Sequence, residues 1–356
     1  MGMTNPLACD LDHVLSHTET WWEALREQRI FITGGTGFFG CWLLESFAWA
    51  NDVLHLNAHA VVLTRDVEGV RKKLPHLADH PAIHFHAGDV RSFPWPAGAF
   101  SHIIHAGAVR TMDLQGEAAL EMFETMVEGT RRTLELARRC GAKKLLFVSS
   151  GAIYGTPPPA MTHIPEEFRE ASDTVQSTSA YAEGKRAAEL LCVLYAQAYG
   201  IDTTMARCFA FLGPYQPLDR RLASGDFIRD GLVGGPIQVH GDGTPSRSYL
   251  YAADLAIWLW TILFRGRSCR AYNVGSEHEV TIADLARVVA RSFEPPREVR
   301  IAKTPRPSHV PERYVPLTHR AQAELGLRQT ISLPEAVVKT IRWHQEVTVG
   351  QNVEVI

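Results

Sequence analysis

A glycine-rich turn in the segment RIFITGGTGFFG, residues 29–40, constrains the fold of this chain more than any other feature. The preceding run Ile30-Phe31-Ile32 predicts a buried strand, and residues 38–50 predict a helix that is apolar on nearly all sides. The glycines follow the spacing G-x-x-G-x-x-G, at Gly34, Gly37 and Gly40. This spacing allows a tight turn, a close approach of the backbone to a phosphate and close packing of the helix on the strand. Because a helix N-terminus also offers free N–H groups to an anion, we predict a dinucleotide site here rather than an ordinary strand-to-helix turn.

Strand-like apolar runs alternate with helical segments beyond this turn. The runs that predict strands lie at residues 60–63, 83–87, 101–105 and 143–149, and the long helices are predicted at residues 116–140 and 179–199. Strands that alternate with helices at this cadence predict an α/β fold, here a Rossmann-type doubly wound parallel sheet.

The composition excludes several classes of protein. The chain has 356 residues and a net charge of −3, so no charge excess favours nucleic acid or a membrane surface as a partner. The longest apolar stretch, residues 251–264, contains Asp254 and is too short to span a bilayer, so we expect a buried helix. Six cysteines without a C-x-x-C pair predict reduced thiols in a cytoplasmic protein. No metal site is expected. Three histidines lie close together in the sequence, His80, His84 and His86, but no carboxylate or cysteine stands at a matching metal-ligand spacing.

The ends of the predicted strands carry the residues expected to hold the cofactor. Thr64 and Arg65 follow the second strand, where an NAD site usually places an acidic side chain on the adenosine ribose. A guanidinium suits a 2′-phosphate, so the sequence slightly favours NADP over NAD. In the alternative, Arg65 points to solvent and Asp66 or the backbone serves the ribose.

Asp89, followed by Val90, can accept from the adenine amino group or cap the next segment. The fourth strand ends in small residues that let the cofactor lie against the backbone, at Ala106, Gly107 and Ala108.

The fifth predicted strand delivers Ser149 and Ser150 to the crevice outside the carboxyl ends of the strands. Tyr181 and Lys185 are four positions apart on a predicted helix, so they share a face. A tyrosine has a pKa of about 10, and a nearby ammonium lowers it. Tyr181 would then remove a proton from a substrate hydroxyl as hydride leaves its carbon, while Ser150 holds the same oxygen and Lys185 holds the nicotinamide ribose. A Tyr-x-x-x-Lys pair alone is common on helix surfaces; its combination with the glycine turn and Ser150, the Ser-Tyr-Lys trio, indicates catalysis.

These motifs resemble the extended short-chain dehydrogenases/reductases of the nucleotide-sugar epimerase/dehydratase family, over about residues 29–343. Four C-terminal signatures add to the resemblance: G-D-G at 241–243, R-S-Y at 247–249, A-D-L at 253–255 and Y-N-V-G at 272–275. The resemblance implies NAD(P) as cofactor, a nucleotide-diphosphate sugar as substrate, and a homodimer in which the two long helices of each chain form a four-helix bundle. It also implies a smaller α/β substrate-binding domain beside the Rossmann-type sheet.

The site residues expected on this basis fall into two groups. The cofactor group is Gly34, Gly37, Phe38, Phe39, Gly40, Thr64, Arg65, Asp89, Val90, Ala106, Gly107, Ala108, Ser149, Tyr181 and Lys185. The substrate group is Ser150, Phe227, Arg247 on the diphosphate, and Arg306 and Arg313 as weaker candidates for the same duty.

The same resemblance divides the chain into parts. Residues 1–28 form an N-terminal helical extension, which we expect to pack on the core or to form a dimer surface. Residues 29–207 form the NAD(P)-binding domain, to which 247–276 return. Residues 208–246 and 277–345 form the substrate-binding domain, and 346–356 form a tail.

Departures from the family pattern narrow the reaction. Family dehydratases, and usually the decarboxylases, carry an acid just after the catalytic Ser or Thr, where this chain has Gly151 and Ala152. Epimerase-reductases that invert next to a ketone use a cysteine near Ala152 and a histidine after the Gly-Pro pair, where this chain has Tyr215. The Ser-Tyr-Lys trio alone suffices for two reactions, C4 epimerisation and NADPH-dependent reduction of a 4-keto-sugar.

We expect the epimerase, with the keto-sugar reductase as the alternative. A dehydratase with an acid from elsewhere, such as Glu166, Glu167 or His163, is a further alternative. A dinucleotide-binding regulator without turnover ranks below these, because it would be expected to lose Tyr181 or Lys185.

Overall fold

A computed structural model describes residues 5–107, 115–219, 222–305 and 310–353. Its centre is a seven-stranded sheet in which every neighbouring pair is parallel, in the order β3-β2-β1-β4-β5-β6-β11. These strands are β1 Arg29–Thr33, β2 His59–Thr64, β3 Ile83–Ala87, β4 His102–His105, β5 Lys144–Ser150, β6 Asp202–Cys208 and β11 Arg270–Val274. The order reverses between β1 and β4, which is where open α/β sheets form their ligand crevice. The predicted Rossmann-type doubly wound parallel sheet is confirmed.

Helices cover both faces of this sheet, which explains why its strands read as apolar runs. The helices of the described residues are α1 Ala8–Thr18, α2 Phe38–Val53, α3 Val67–Lys73, α4 Pro75–Ala78, α5 Gly116–Cys140, α6 Ala180–Tyr199, α7 Ala223–Leu232, α8 Ala252–Arg265, α9 Ile282–Arg291, α10 His319–Leu325 and α11 Leu333–Val353. One apolar core lies between the sheet and the pair α2 and α8, and a second lies between the sheet and the pair α5 and α6.

The long apolar stretch predicted as a buried helix forms α8, in which every residue from Ala252 to Phe264 is buried. The buried carboxylate of Asp254 accepts from the backbone N–H groups of Thr330 and Ile331, both at 3.1 Å. No helix within the described ranges is long and apolar enough to cross a membrane.

The N-terminal segment packs on the core of its own chain. The phenol of Tyr251 donates to Asp10 at 2.6 Å, and Lys339 pairs with the same carboxylate at 2.8 Å. Trp22, in a short 3-10 helix at Glu19–Leu25, is fully buried with its ring centroid 4.5 Å from that of Trp260. This segment therefore acts as a cap that joins α1 to α8 and α11.

Small sheets lie outside the central one. They pair β7 Phe211–Leu212 with β10 Leu250–Tyr251, β8 Ile237–Val239 with β13 Val299–Ile301, and β9 Ser246–Arg247 with both β12 Val280–Thr281 and β14 Arg313–Tyr314. Within residues 247–276, β11 pairs with β6 of the central sheet. The boundaries between domains stay a prediction.

Candidate active site

The glycine turn after β1 is shaped by close backbone contacts. Gly34 has a φ of +72°, and a Cβ there would lie 2.5 Å from the carbonyl carbon and oxygen of Ala106. A Cβ on Gly40 would overlap the backbone of the turn itself. A Cβ on Gly37 would meet only the Gly34 carbonyl oxygen, at an ordinary 3.5 Å. Gly34 and Gly40 are thus needed for the turn, whereas the surface at Gly37 is open to a ligand.

A groove of about 530 Å³ runs from this turn across the carboxyl ends of β1 to β4. The predicted cofactor residues that line it are Gly34, Gly37, Thr64, Arg65, Asp89, Val90, Ala106 and Gly107. Phe38 and Phe39 begin α2, whose N-cap is Gly37. Ala108 lies outside the described residues. The cradle at Gly34 and the open face at Gly37 fit the pyrophosphate of a dinucleotide.

The second-strand end brings two cations and one carboxylate to this groove, from Arg65, Lys73 and Asp66. Thr64 is buried, and Arg65 is exposed at the groove wall together with Lys73 from α3. The carboxylate of Asp66 serves as the N-cap of α3 and accepts from the Gly69 N–H at 2.8 Å. One oxygen of Asp66 thus holds the cap, while the residue also lines the groove, so the alternative in which it serves the ribose stays open.

Asp89 stands across the groove in an ion pair. Its carboxylate accepts from the side chain and the backbone N–H of Arg91, each at 2.9 Å. The Arg91 hydrogen bond, with a further contribution from Arg65, holds the pKa of Asp89 below its usual value. Asp89 thus remains an ionised acceptor beside the groove.

A buried hydrogen-bond chain, which the sequence analysis missed, fixes the turn after β4. The Thr33 hydroxyl accepts from the Gly107 N–H at 3.0 Å, so its own proton points to Nδ1 of His105 at 2.7 Å. Nε2 of His105 then donates to Thr130 at 3.0 Å, and Thr130 donates to the carbonyl oxygen of Met126 at 2.6 Å. Burial lowers the pKa of His105 to about 3, so the ring is neutral, as the chain requires. The only signal in the sequence was a pair of histidines flanking the apolar centre of β4.

Ser149 and Ser150 end β5 at the same edge of the sheet. The Ser150 hydroxyl caps a short 3-10 helix at Gly151–Tyr154 and accepts from the Ala152 N–H at 3.2 Å. Ser149 is 3% exposed, and its hydroxyl has no hydrogen-bond partner among the described residues. An unpaired buried hydroxyl carries a free-energy cost unless a ligand satisfies it. Ser149 is therefore suited to a bound cofactor.

Tyr181 and Lys185 lie one turn apart on α6, and Tyr181 is half-buried. The Lys185 ammonium is buried and donates to the Val148 carbonyl oxygen at 2.7 Å. This bond ties the catalytic face of α6 to β5, just before Ser149 and Ser150. Burial lowers the pKa of Lys185 to about 8, so it is still mainly protonated at pH 7. Stabilisation of the Tyr181 phenolate by this ammonium stays a prediction.

Two of the three expected substrate arginines lie in ion pairs near the surface. Arg247 on β9 donates to the Ser246 carbonyl oxygen at 2.9 Å and pairs with Glu312 at 3.0 Å. Arg313 pairs with Glu279 at 2.9 Å. To bind here, a substrate diphosphate would have to displace these two carboxylates from the guanidinium groups; this role stays a prediction. Arg306 lies outside the described residues.

Phe227 has a different setting from the arginines. It is 3% exposed and lies in the apolar core with Ile228 of the same helix. A contact of its ring with substrate stays a prediction.

The candidate acids outside the trio are engaged elsewhere. Glu166 is buried and accepts from the Asn273 N–H at 2.9 Å, and burial raises its pKa. Glu167 pairs with Arg320, and His163 bonds the Glu277 carbonyl oxygen at 3.0 Å. Tyr215, which stands after the Gly-Pro pair, donates to Glu45, and burial raises its pKa well above the usual value.

A parallel sheet of Rossmann order, a glycine cradle at its switch point and a Ser-Tyr-Lys trio define a class of dinucleotide-dependent α/β enzymes. Within this class, the chain belongs to the NAD dependent epimerase/dehydratase family, whose sequence profile matches residues 30–275. It is thus an NAD(P)-dependent enzyme of the extended short-chain dehydrogenase/reductase type, as the motifs predicted.

Relatives cover most of the chain. UDP-glucuronic acid decarboxylase 1 of Arabidopsis thaliana is 28% identical over 88% of this chain and 69% of its own length. The solved dTDP-glucose 4,6-dehydratase of Streptomyces venezuelae with NAD is 26% identical, with a TM-score of 0.73 over 89% of this chain and 97% of that one. The UDP-glucose 4-epimerase of Thermus thermophilus with NAD is also 26% identical, with a TM-score of 0.72 over 89% and 99%. Decarboxylation, dehydration and epimerisation are all represented among these relatives.

Proposed function

We propose that this enzyme epimerises a nucleotide-diphosphate sugar at C4 by transient oxidation, with Tyr181 as the acid and base. The observation that carries the proposal is the pair Gly151 and Ala152 directly after Ser150. Neither residue can transfer a proton. The trio formed by Ser150 at the end of β5 and by Tyr181 and Lys185 on α6 therefore serves one carbon and its oxygen, whereas dehydration needs a further acid to expel a hydroxyl group.

Each site residue has a separate chemical role in this reaction. NAD(P), when bound in the groove, would provide reversible hydride transfer at C4. Tyr181 takes the proton from the C4 hydroxyl and returns it when the keto sugar has turned its other face. Ser150 donates a hydrogen bond to the same oxygen. The Lys185 ammonium stabilises the phenolate of Tyr181, and Arg247 retains the diphosphate while the sugar turns.

The test incubates the protein and NAD with UDP-glucose, UDP-glucuronate or dTDP-glucose in D₂O and follows the products by NMR. We expect a C4 epimer without deuterium on any carbon, because the hydride returns to the carbon it left. A product that has lost water or carbon dioxide, or that carries deuterium next to a carbonyl carbon, would contradict the proposal. UDP-glucuronate serves as the internal comparison, because a decarboxylase would convert it to a pentose.

A second candidate is an NADPH-dependent 4-keto-sugar reductase. Arg65 and Lys73 line the groove near the second-strand end, together with Asp66, which caps α3 through one oxygen. The two cations outnumber this carboxylate, which favours a 2′-phosphate over a free ribose diol. This is also the basis on which we propose NADP over NAD, although the two solved relatives above carry NAD.

The cofactor experiment separates the two candidates. Mass spectrometry of the denatured protein identifies a retained dinucleotide, and fluorescence titration compares NADPH with NADH. Tightly held NAD favours the epimerase and contradicts the role of Arg65. An empty site with about tenfold tighter binding of NADPH, a preference that Arg65→Ala and Lys73→Ala remove, favours the reductase. Lys72→Ala is the matched control, because Lys72 is an exposed neighbour on α3 that does not line the groove.

We also propose a homodimer that packs α5 and α6 against their copies, and a cytoplasmic location. Four large apolar side chains are exposed on these helices: Leu120 (57%), Leu190 (58%), Leu194 (49%) and Tyr199 (53%). Exposed apolar side chains on two neighbouring helices favour a protein partner. All six cysteines are free thiols, which supports a reducing compartment.

A further inference from the structure

The backbone just after Ser150 is closed by two aromatic side chains. A Cβ on Gly151 would lie 2.5 Å from the hydroxyl oxygen of Tyr314 and 2.8 Å from Cζ of Phe209. The two rings lie against each other, with centroids 4.6 Å apart and planes at 33°. The place where a side chain at position 151 would stand is therefore filled by the Tyr314 hydroxyl and the Phe209 ring.

The same tyrosine also reaches the expected diphosphate anchor. β14 runs parallel to β9 with Tyr314 in register with Arg247. The guanidinium carbon of Arg247 lies 5.8 Å from the centroid of the Tyr314 ring. Tyr314 thus spans the distance between Arg247 and the peptide that follows Ser150.

A nucleotide-diphosphate sugar held at both of these points must place its sugar beside Tyr314. The diphosphate is attached to C1, and the reacting oxygen at C4 stands opposite C1 across the ring. A phenol hydroxyl can bond to sugar hydroxyls, and the aromatic ring can cover the apolar C–H face of the sugar.

We propose that Tyr314 is a sugar-positioning residue, which binds the hexose between Arg247 and the Ser-Tyr-Lys trio, and that Gly151 is required because Tyr314 and Phe209 occupy its side-chain space. This inference rests on the proposed function, since it assumes a nucleotide-sugar substrate. Tyr314 holds the sugar without taking its proton, which is the task of Tyr181.

The test measures by calorimetry how much the sugar adds to binding. UDP and dTDP report the diphosphate site, and UDP-glucose and dTDP-glucose report diphosphate and sugar together. We expect Tyr314→Phe to weaken the nucleotide sugar that the wild type prefers by fivefold to tenfold, with binding of the free diphosphate and of NAD(P) unchanged. Tyr272→Phe is the matched control, because that buried phenol bonds to Glu324 rather than to residues near Ser150.

A second variant tests the link to Gly151. Gly151→Ala should displace the Tyr314 hydroxyl and cause a similar loss of sugar affinity. The double variant Gly151→Ala/Tyr314→Phe should lose no more sugar affinity than either single variant, because both substitutions remove the same hydroxyl from its place beside Ser150. Full additivity would overturn the link between the two residues.

The outcomes separate the two levels of the proposal. An unchanged ratio of nucleotide-sugar to diphosphate affinity in Tyr314→Phe overturns the role of Tyr314 and leaves the proposed function standing. One way to obtain this unchanged ratio is an equal loss of affinity for the nucleotide sugars and the free diphosphates. That result would show that Tyr314 acts through Arg247. A wild type that binds NAD(P) but no nucleotide-diphosphate sugar, whatever its base, overturns the proposed function, and the inference falls with it.

Discussion

At the scale of single residues, the ammonium of Lys185 is a charge buried beside the end of β5. It is enclosed by protein and donates to the Val148 carbonyl oxygen, and its pKa falls to about 8 because burial disfavours the charged form. The unfolded chain has the ordinary value of 10.5. Between these two values the unfolded state binds more protons than the folded state, so the free energy of unfolding rises with pH through this window.

The predicted rise of the free energy of unfolding with pH can be checked by comparing the wild type with Lys185→Met. The free energy of unfolding of the wild type, relative to that of the variant, should increase by about 2 kcal/mol from pH 7 to pH 9.5. Urea denaturation at the two pH values measures it. The comparison is made in a Tyr181→Phe background, so that the coupled phenol does not contribute, and groups that do not interact with Lys185 cancel. A difference that stays constant with pH would show that the ammonium is not desolvated.

Tyr181 carries the second prediction at this scale. Tyr181→Phe removes the proton-transferring group and keeps the ring, so turnover should fall by at least about a hundredfold, while NAD(P) affinity changes little. Steady-state rates and cofactor titration measure the two effects. Tyr195→Phe, on the same helix but bonded to Glu135 at 2.6 Å, should keep its activity. Undiminished turnover in Tyr181→Phe would exclude it as the base.

At the scale of elements, the chain from Thr33 through His105 to Thr130 couples β1, β4 and α5 at the cofactor groove. Thr33→Val keeps the shape of the side chain but leaves the Gly107 N–H and one ring nitrogen of His105 unpaired. We expect a loss of about 1–3 kcal/mol in stability and weaker dinucleotide binding. Thermal denaturation and cofactor titration measure these changes.

The chain offers a matched control for this substitution. Thr204 on β6 is also buried, but its hydroxyl has no hydrogen-bond partner among the described residues. Thr204→Val should therefore be neutral or slightly stabilising. If Thr33→Val behaves like Thr204→Val, the hydrogen-bond chain has no influence on the groove.

The local sequence pattern was sufficient to predict several helices and strands, but it did not predict the contacts between them. The strand Ile83–Ala87 and the helix Gly116–Cys140 have the predicted bounds, whereas α2 runs on to Val53 because no glycine or proline stops it at residue 50. The glycine turn was readable because its spacing determines its geometry, and the spacing of Tyr181 and Lys185 was enough to place both on one helix; their catalytic role stays a prediction. The approach of Tyr314 to Gly151 was not, because it depends on how β14 lies against the end of β5, which no short-range period records.

At the scale of the whole molecule, the outer face of α5 and α6 is the feature that a single chain leaves unexplained. Leu190 and Leu194 are one turn apart on α6, and both are about half exposed or more. Burial of such side chains in a copy of the same surface gives a two-fold interface. The dimer would place the helix that carries Tyr181 and Lys185 at its centre, which would link assembly to the position of the trio.

The last prediction follows from this surface. Light scattering of the wild type should give twice the 39.6 kDa mass of the chain, and the double substitution Leu190→Glu/Leu194→Glu should give a monomer, because two carboxylates cannot be buried without partners. Val233→Glu, at an apolar side chain that is 77% exposed just after α7, should remain a dimer. A wild-type monomer at all concentrations would contradict the dimer. A monomeric variant that keeps full activity would show that the trio is held in place by its own chain alone, through the bond from Lys185 to Val148.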